Sequence, residues 1–329
     1  MNAITQLDVL DLEDTIARYD VGDLVRYWPA ANGIENSNYF VRTVLDGREH
    51  DYVLTILEQP SNAGRAYVPL LDLCVEAGLP VAKIMKSANG EPFQTYNGKS
   101  VLLSQRLPGQ HVYNPTQAQI RSLARFIARL HLATHKWDFP VPPYPRDENW
   151  LEHHSTLCLG YLPFQSANLL TDSIREVVSL LRRHDTQALP AGIIHGDLFR
   201  DNVLFNAHGL SGVLDFHHAA RGYLIYDLAV AANDWCTDAD GLLDAELSLI
   251  LLRAYHEIRP FTSAELQLLP AFMLYAATSF WLSRLVVSLH QSSDEPEAEI
   301  RCNNPEEFER IVRQHSAHFL YLDSRLLLD

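Results

Sequence analysis

The sequence predicts an α+β protein of two lobes, an antiparallel, β-rich N-terminal lobe over residues 1–107 and a mainly helical C-terminal lobe over 108–329. Three observations lead there. Strand-type runs and hairpin turns crowd the first hundred residues. Pro108-Gly109 then breaks the pattern. Helical periodicity dominates from Thr116 onward, interrupted only by a small cluster of short strands near residue 200. Two lobes imply a cleft between them, and ligands usually sit in such clefts.

In chain order, Asn38–Leu45 is rich in β-branched and aromatic residues and runs into Asp46-Gly47, a strong hairpin turn. Tyr52–Leu57 is the returning strand. Tyr67–Ala77 has helical periodicity and stops at Gly78, with Pro80 just beyond. Val81–Lys86 and Ser100–Gln105 read as further strands, with turns at Asn89-Gly90 and Asn97-Gly98 between them. Thr116 caps a helix reaching His135, with an apolar stripe through Ile120, Leu123, Ala124, Ile127 and Leu130. The Pro-rich stretch from Trp137 to Asp147 is expected on the surface. Further helices are expected over 169–183, 242–257 and 263–289, and short strands over 192–195, 203–205 and 212–215.

Composition narrows the function. The chain has 329 residues, 47% hydrophobic and 20% charged, which is ordinary for a globular protein. Its net charge of -15 argues against nucleic-acid and anionic-membrane partners, because phosphates repel such a surface. Cys74, Cys158, Cys236 and Cys302 are scattered without metal or disulfide spacing, which suits a reducing, cytoplasmic compartment. The first fourteen residues carry acids early and lack a basic-then-apolar run, so no secretory leader is expected. Leu266–Ser283 contains no charge, but a buried lobe helix suits it better than a membrane span.

The chemistry concentrates between Ile193 and Phe216. An apolar strand delivers His195-Gly196-Asp197, and Asn202 follows five positions after the acid. A second apolar strand, Gly212-Val213-Leu214, ends in Asp215. Two acids and one amide at the ends of adjacent short strands suit phosphoryl transfer. One carboxylate takes the hydroxyl proton, while another and an amide oxygen hold Mg²⁺ across the phosphates. The step from Asp197 to Asn202 is also the one used in kinase catalytic loops.

This segment resembles the aminoglycoside phosphotransferase and choline kinase superfamily, whose fold is protein-kinase-like. More narrowly, the chain resembles the homoserine kinases of bacterial threonine biosynthesis with that fold. Beyond the catalytic segment, the resemblance rests on Gly33–Phe40, Tyr52–Leu57, Arg106–Gly109, Leu130–Thr134, Tyr226–Ala229, Asn233–Cys236 and Arg259–Leu285, nearly the full chain. It implies ATP and Mg²⁺ as cofactors and L-homoserine as the small-molecule acceptor. Asp197 is then the catalytic base, and Asn202 and Asp215 the metal ligands. His195 and Asp227 support the catalytic loop. Gln105 to Leu107 offer backbone groups to adenine. The same chemistry on another hydroxyl acceptor, an amino alcohol, methylthioribose or aminoglycoside, is the alternative. A non-catalytic nucleotide-binding protein is a further one.

Other roles stay open at this level. Gly33, Asn36, Ser37 and Asn38 form either a phosphate cradle of backbone N–H groups or a plain hairpin turn. Thr55 stands where kinases usually carry a phosphate-pairing Lys. His217 follows Asp215-Phe216 in place of a Gly, so a backbone-flip switch is not expected. A homoserine carboxylate needs a cation. Arg284, inside an apolar helix, is the first candidate, with a structural ion pair as its alternative; Arg200 is the second, with γ-phosphate contact as its alternative. Asn233 and Asp234 suit the ammonium or else cap a helix end. His131 and His135 have zinc-pair spacing without the accompanying Glu and read as lobe core. Asp238–Gly241 reads as a turn.

Overall fold

Alternating side chains build the first sheet. The computed structural model describes residues 5–30, 36–58, 63–137, 140–290 and 304–317. Strands β1 (Asp23–Pro29), β2 (Ser37–Leu45), β3 (Arg48–Leu57), β4 (Phe93–Tyr96) and β5 (Lys99–Gln105) form one antiparallel sheet in the order β1-β2-β3-β5-β4. Leu45 pairs with Arg48 across the expected hairpin, where Asp46 and Gly47 both take positive φ (51° and 75°), as a type I′ turn requires. Tyr39, Val41, Tyr52, Leu54, Ile56, Val101 and Leu103 share the buried face, packed with Leu12 and Ile16 of helix α1 (Val9–Ile16). Each such aliphatic burial stabilises by about 1.5–3 kcal/mol. Asn38, Phe40, Val53 and Thr55 alternate onto the opposite, half-buried face.

Helix α2 (Ala63–Glu76) ends before Gly78, which takes φ 68°. The expected strand at 81–86 is instead an irregular segment with two isolated bridges, Val81 to Val213 and Ile84 to Ser104. β4 pairs along the far side of β5. The chain divides into two compact units, residues 1–110 with 204–217, and residues 111–203 with 218–329. The returning hairpin, Val203–Asn206 and Gly209–Val213, binds the end of the first stretch. Gln110 and Phe205 exchange two backbone hydrogen bonds of 2.9 Å, and Ser211 Oγ donates to the Pro108 carbonyl at 2.5 Å. Asp215 therefore belongs to the first unit, although it lies far beyond Pro108-Gly109 in sequence.

The second unit is helical. It holds α3 (Gln117–Ala133), α4 (Glu148–Cys158), α5 (Phe164–Leu181), α6 (His184–Gln187), α7 (Ile225–Trp235), α8 (Ala245–His256), α9 (Ser263–His290) and α10 (Pro305–Ala317). Thr116 caps α3 in a reciprocal box with Gln119. Ala191–Ile194 pairs antiparallel with Ala220–Tyr223. The charge-free stretch is the middle of α9, which contacts α4, α5, α7 and α10. Its length and composition would suit a membrane span, yet 67% of its most apolar window is buried inside the protein. It is the central helix of this unit.

Candidate active site

The buried strand residues Ile193 and Ile194 lead into His195-Gly196-Asp197. Gly196 takes φ 78°, and a Cβ there would lie 3.3 Å from the Tyr144 ring and 3.4 Å from the His218 carbonyl. His195 and Asp227 are both wholly buried. The Asp227 carboxylate, on α7, accepts the N–H groups of His195 and Gly196 at 2.9 and 2.8 Å. It also meets His131 Nε2 at 3.1 Å, and His131 Nδ1 meets the Tyr255 hydroxyl at 2.8 Å. Arg259 closes this chain, 3.1 Å from Tyr255 and 2.8 Å from buried Glu265. A buried carboxylate is stable only with such donors around it.

Asn202 Nδ2 donates to both the Asp197 carbonyl and Asp197 Oδ2, each at 2.8 Å. The loop between them is thereby closed on itself, and Asp197 Oδ2 is fixed in direction. The same bonds leave the Asn202 amide oxygen as an acceptor suited to a hard cation. Helix α7 grips the loop twice more. Trp235 Nε1 donates to the Leu198 carbonyl at 2.9 Å. Asp234 accepts the Arg200 N–H at 2.7 Å and holds its guanidinium in two further bonds of 3.2 and 3.1 Å. Arg200 also donates to the Tyr113 carbonyl at 2.7 Å. Arg200 and Asp234 are thus each other's partners.

Asn233 does not share that pair. Its amide donates to the Met273 carbonyl at 2.8 Å, and its oxygen meets His315 Nε2 at 2.8 Å. Arg284 is held by Glu307 at 2.6 Å and the Asn304 carbonyl at 3.0 Å, over the Phe308 ring at 4.5 Å. That is the ion-pair alternative for Arg284, and the geometry gives no support to a carboxylate-binding role.

In the first unit, Asp215 follows the Gly209–Val213 strand with φ 58°, unusual for a residue other than Gly and a mark of functional sites. Its side chain is 56% exposed and 3.8 Å from His217 Nδ1. Burial first, and then the Asp215 charge, push the Tyr67 phenol well up. Thr55 Oγ1 donates to Asn38 Oδ1 at 2.7 Å, so a neutral pair occupies the place of the usual Lys. Ser37 lies on the buried side and bonds Glu58, whose N–H donates to Asn36 Oδ1 at 3.3 Å. Glu58 is held at about 2 although burial alone would raise it, by Lys99, Ser37 and Thr5. Gly33 lies outside the described residues. The N–H groups of Gln105 and Arg106 donate to the Lys83 and Asp51 carbonyls at 2.8 and 3.0 Å. Leu107 packs where a Cβ on Gly212 would come within 2.8 Å of it.

The model of the phosphotransferase enzyme family matches residues 26–261. A homoserine kinase of Pseudomonas aeruginosa (strain UCBPP-PA14) is 35% identical over 316 residues, covering 95% of this chain and 96% of that protein. The chain belongs to this family, in its homoserine kinase branch. A homoserine kinase of Methylobacillus glycogenes is 33% identical, with 95% of each chain covered. Among solved structures, a spectinomycin phosphotransferase in complex with ADP and spectinomycin aligns at a TM-score of 0.71 with 11% identity, covering 95% of this chain and 99% of that one. A microcompartment-associated aminopropanol kinase aligns at 0.70 with 19% identity, covering 94% and 98%. Those two likenesses carry the two-lobed, kinase-like α+β fold.

Within this phosphotransferase, the expected surface loop before α4 conceals two functional candidates. Tyr144 packs on Gly196, and its hydroxyl meets the Tyr226 hydroxyl at 2.6 Å. Arg146 lies over Phe280 at 4.2 Å, with Nη2 donating to Ser283 Oγ at 3.2 Å. Burial works against its charge, but Tyr144, Tyr226 and Asp197 raise its pKa beyond the ordinary arginine value. Prolines mask both residues in sequence. The only signal is an Arg two residues after a Tyr, directly before a cap-type Asp147.

Proposed function

We propose that this chain transfers the γ-phosphoryl group of ATP to the side-chain hydroxyl of L-homoserine, yielding O-phospho-L-homoserine. The observation that carries the reading is the closed Asp197–Asn202 loop in a chain 32–35% identical, over nearly its full length, to homoserine kinases of several genera. Asn202 fixes the Asp197 carboxylate through Oδ2, and that carboxylate accepts the hydroxyl proton as the nucleophile forms. Asp227 keeps the loop at the angle this requires.

Mg²⁺ belongs to the same reading. When bound, it would neutralise charge on the β- and γ-phosphates. The Asn202 amide oxygen and the exposed Asp215 carboxylate would be its protein ligands, both hard oxygen donors of the type Mg²⁺ takes. Among the described residues no cluster of three His, Cys, Asp or Glu forms a dedicated metal cage, consistent with an ion held largely by phosphates and water. A cytoplasmic location is part of the proposal, and the buried free thiols of Cys74, Cys158 and Cys236 suit it.

The test is an ADP-release assay across homoserine, choline, methylthioribose and an aminoglycoside. Homoserine should give the highest kcat/KM. Turnover of another acceptor with homoserine at background would overturn the assignment.

A further inference from the structure

Arg146 is a buried cation with no ion-pair partner among the described residues. Nη1 is enclosed and finds no hydrogen-bond partner among the described residues. Three other partly buried arginines of this unit each hold a carboxylate: Arg200 with Asp234, Arg259 with Glu265 and Arg284 with Glu307. The direct contacts of the Arg146 guanidinium are neutral, the Phe280 ring and the Ser283 hydroxyl, and the Asp197 charge acts on it without an ion pair. An enclosed guanidinium with an idle donor is unfavourable unless an anion arrives to complete it.

A second idle group lies on the same face. Tyr275, Ser279 and Ser283 are spaced four apart on α9, one stripe of the helix. The Tyr275 hydroxyl donates to the Arg146 carbonyl at 2.7 Å, and Ser283 accepts from its guanidinium. Ser279 stands between these two contacts, and its buried hydroxyl also finds no hydrogen-bond partner among the described residues. The face adjoins the catalytic loop at two places. Phe280, beneath Arg146, meets Phe199 edge-to-face at 4.6 Å, and Tyr144 lies against Gly196, next to Asp197.

We infer that Arg146, assisted by Ser279, binds the carboxylate of the amino-acid acceptor while its hydroxyl is presented to Asp197. This assignment rests on the homoserine reading above. A carboxylate supplies two acceptor oxygens, one for the idle Nη1 and one for the idle hydroxyl. A bound carboxylate completes both groups, whereas an acceptor without one leaves Arg146 unpaired in a buried place. The site would thereby select an amino acid over the corresponding amino alcohol.

The test compares homoserine with 3-aminopropan-1-ol, the same molecule without its carboxylate, in steady-state assays of the full chain. Arg146→Gln should raise the KM for homoserine about 10- to 100-fold, the size of one lost charge-assisted bond. The KM for ATP should stay within about twofold, and the preference for homoserine over 3-aminopropan-1-ol should shrink by the same factor as the homoserine KM rises. Arg146→Lys should retain part of the preference. Ser279→Ala removes a hydroxyl with no hydrogen-bond partner among the described residues, so it should melt like the wild type and raise the homoserine KM several-fold. Equal losses on both acceptors, or a raised ATP KM with the preference intact, would show a merely structural or phosphate-binding role. Wild-type protein that fails to turn over homoserine sinks the acceptor reading itself, a separate outcome seen before any variant is made.

Discussion

Asp227 holds His195 from behind, accepting its N–H at 2.9 Å on a carboxylate that has no exposed surface. The neighbouring oxygen takes the Gly196 N–H at 2.8 Å, so both backbone donors before Asp197 end on one side chain. Asp227→Asn keeps the size but turns one acceptor into a donor facing a donor. The expected result is a loss of about 2–4 kcal/mol in stability, read from the urea midpoint, with kcat falling more than the KM for ATP changes. An unchanged kcat in folded protein would remove Asp227 from any part in positioning the loop.

Asp197→Ala should lower kcat by about 100- to 10,000-fold, the usual range for a general base. Nucleotide affinity, measured by calorimetry, should persist, because no adenine or phosphate contact is assigned to this carboxylate. Retention of near-normal kcat would place the proton acceptor elsewhere.

Asn202→Ala should raise the Mg²⁺ concentration needed for half-maximal rate. It should also lower kcat at saturating Mg²⁺, since the amide both offers an oxygen to the ion and fixes Asp197 Oδ2. A Mg²⁺ titration coincident with that of the wild type would contradict the ligand role.

Gly196→Ala tests the backbone itself. The residue sits at φ 78°, and the added methyl would come 3.3 Å from Tyr144. Strain and crowding together should destabilise the fold by roughly 1–3 kcal/mol and depress kcat by displacing Asp197. Thermal melts and kcat at a permissive temperature would separate the two effects.

What could be seen in the sequence follows from how local each feature is. Asp197 and Asn202 are joined across five residues, and the strand before them is continuous and apolar, so spacing alone exposes them. Asp46-Gly47 is equally local. The strand Ala220–Tyr223 was invisible because Ala-Arg-Gly-Tyr lacks strand character. It pairs with Ala191–Ile194 because Gly222 admits the Ile194 side chain, whose Cδ1 would lie 2.5 Å from any Cβ there. Arg146 was hidden by a comparable tertiary effect. Its surroundings come from α9, more than a hundred residues later, and no window around Pro142 and Pro145 records them. Arg284 shows the converse. Its apolar helix made it conspicuous, but Glu307 on α10 already satisfies it.

His315 supplies a pH prediction. It lies on α10 against Asn233, and burial brings its imidazole down from about 6.5 to about 4. The unfolded chain therefore binds a proton near pH 6.5 that the folded chain refuses until about pH 4. Stability from this group is complete above pH 6.5 and is lost as pH falls toward 4. The loss should be roughly 1 kcal/mol at pH 5.5 and approach about 3 kcal/mol below pH 4. Unfolding midpoints between pH 7.5 and 5, compared for wild type and His315→Gln, isolate the term, because Gln keeps a donor for Asn233 but does not titrate. The variant should start less stable and fall less steeply with acid. Parallel pH curves for the two proteins would mean that His315 takes up its proton in the folded state as readily as in the unfolded one.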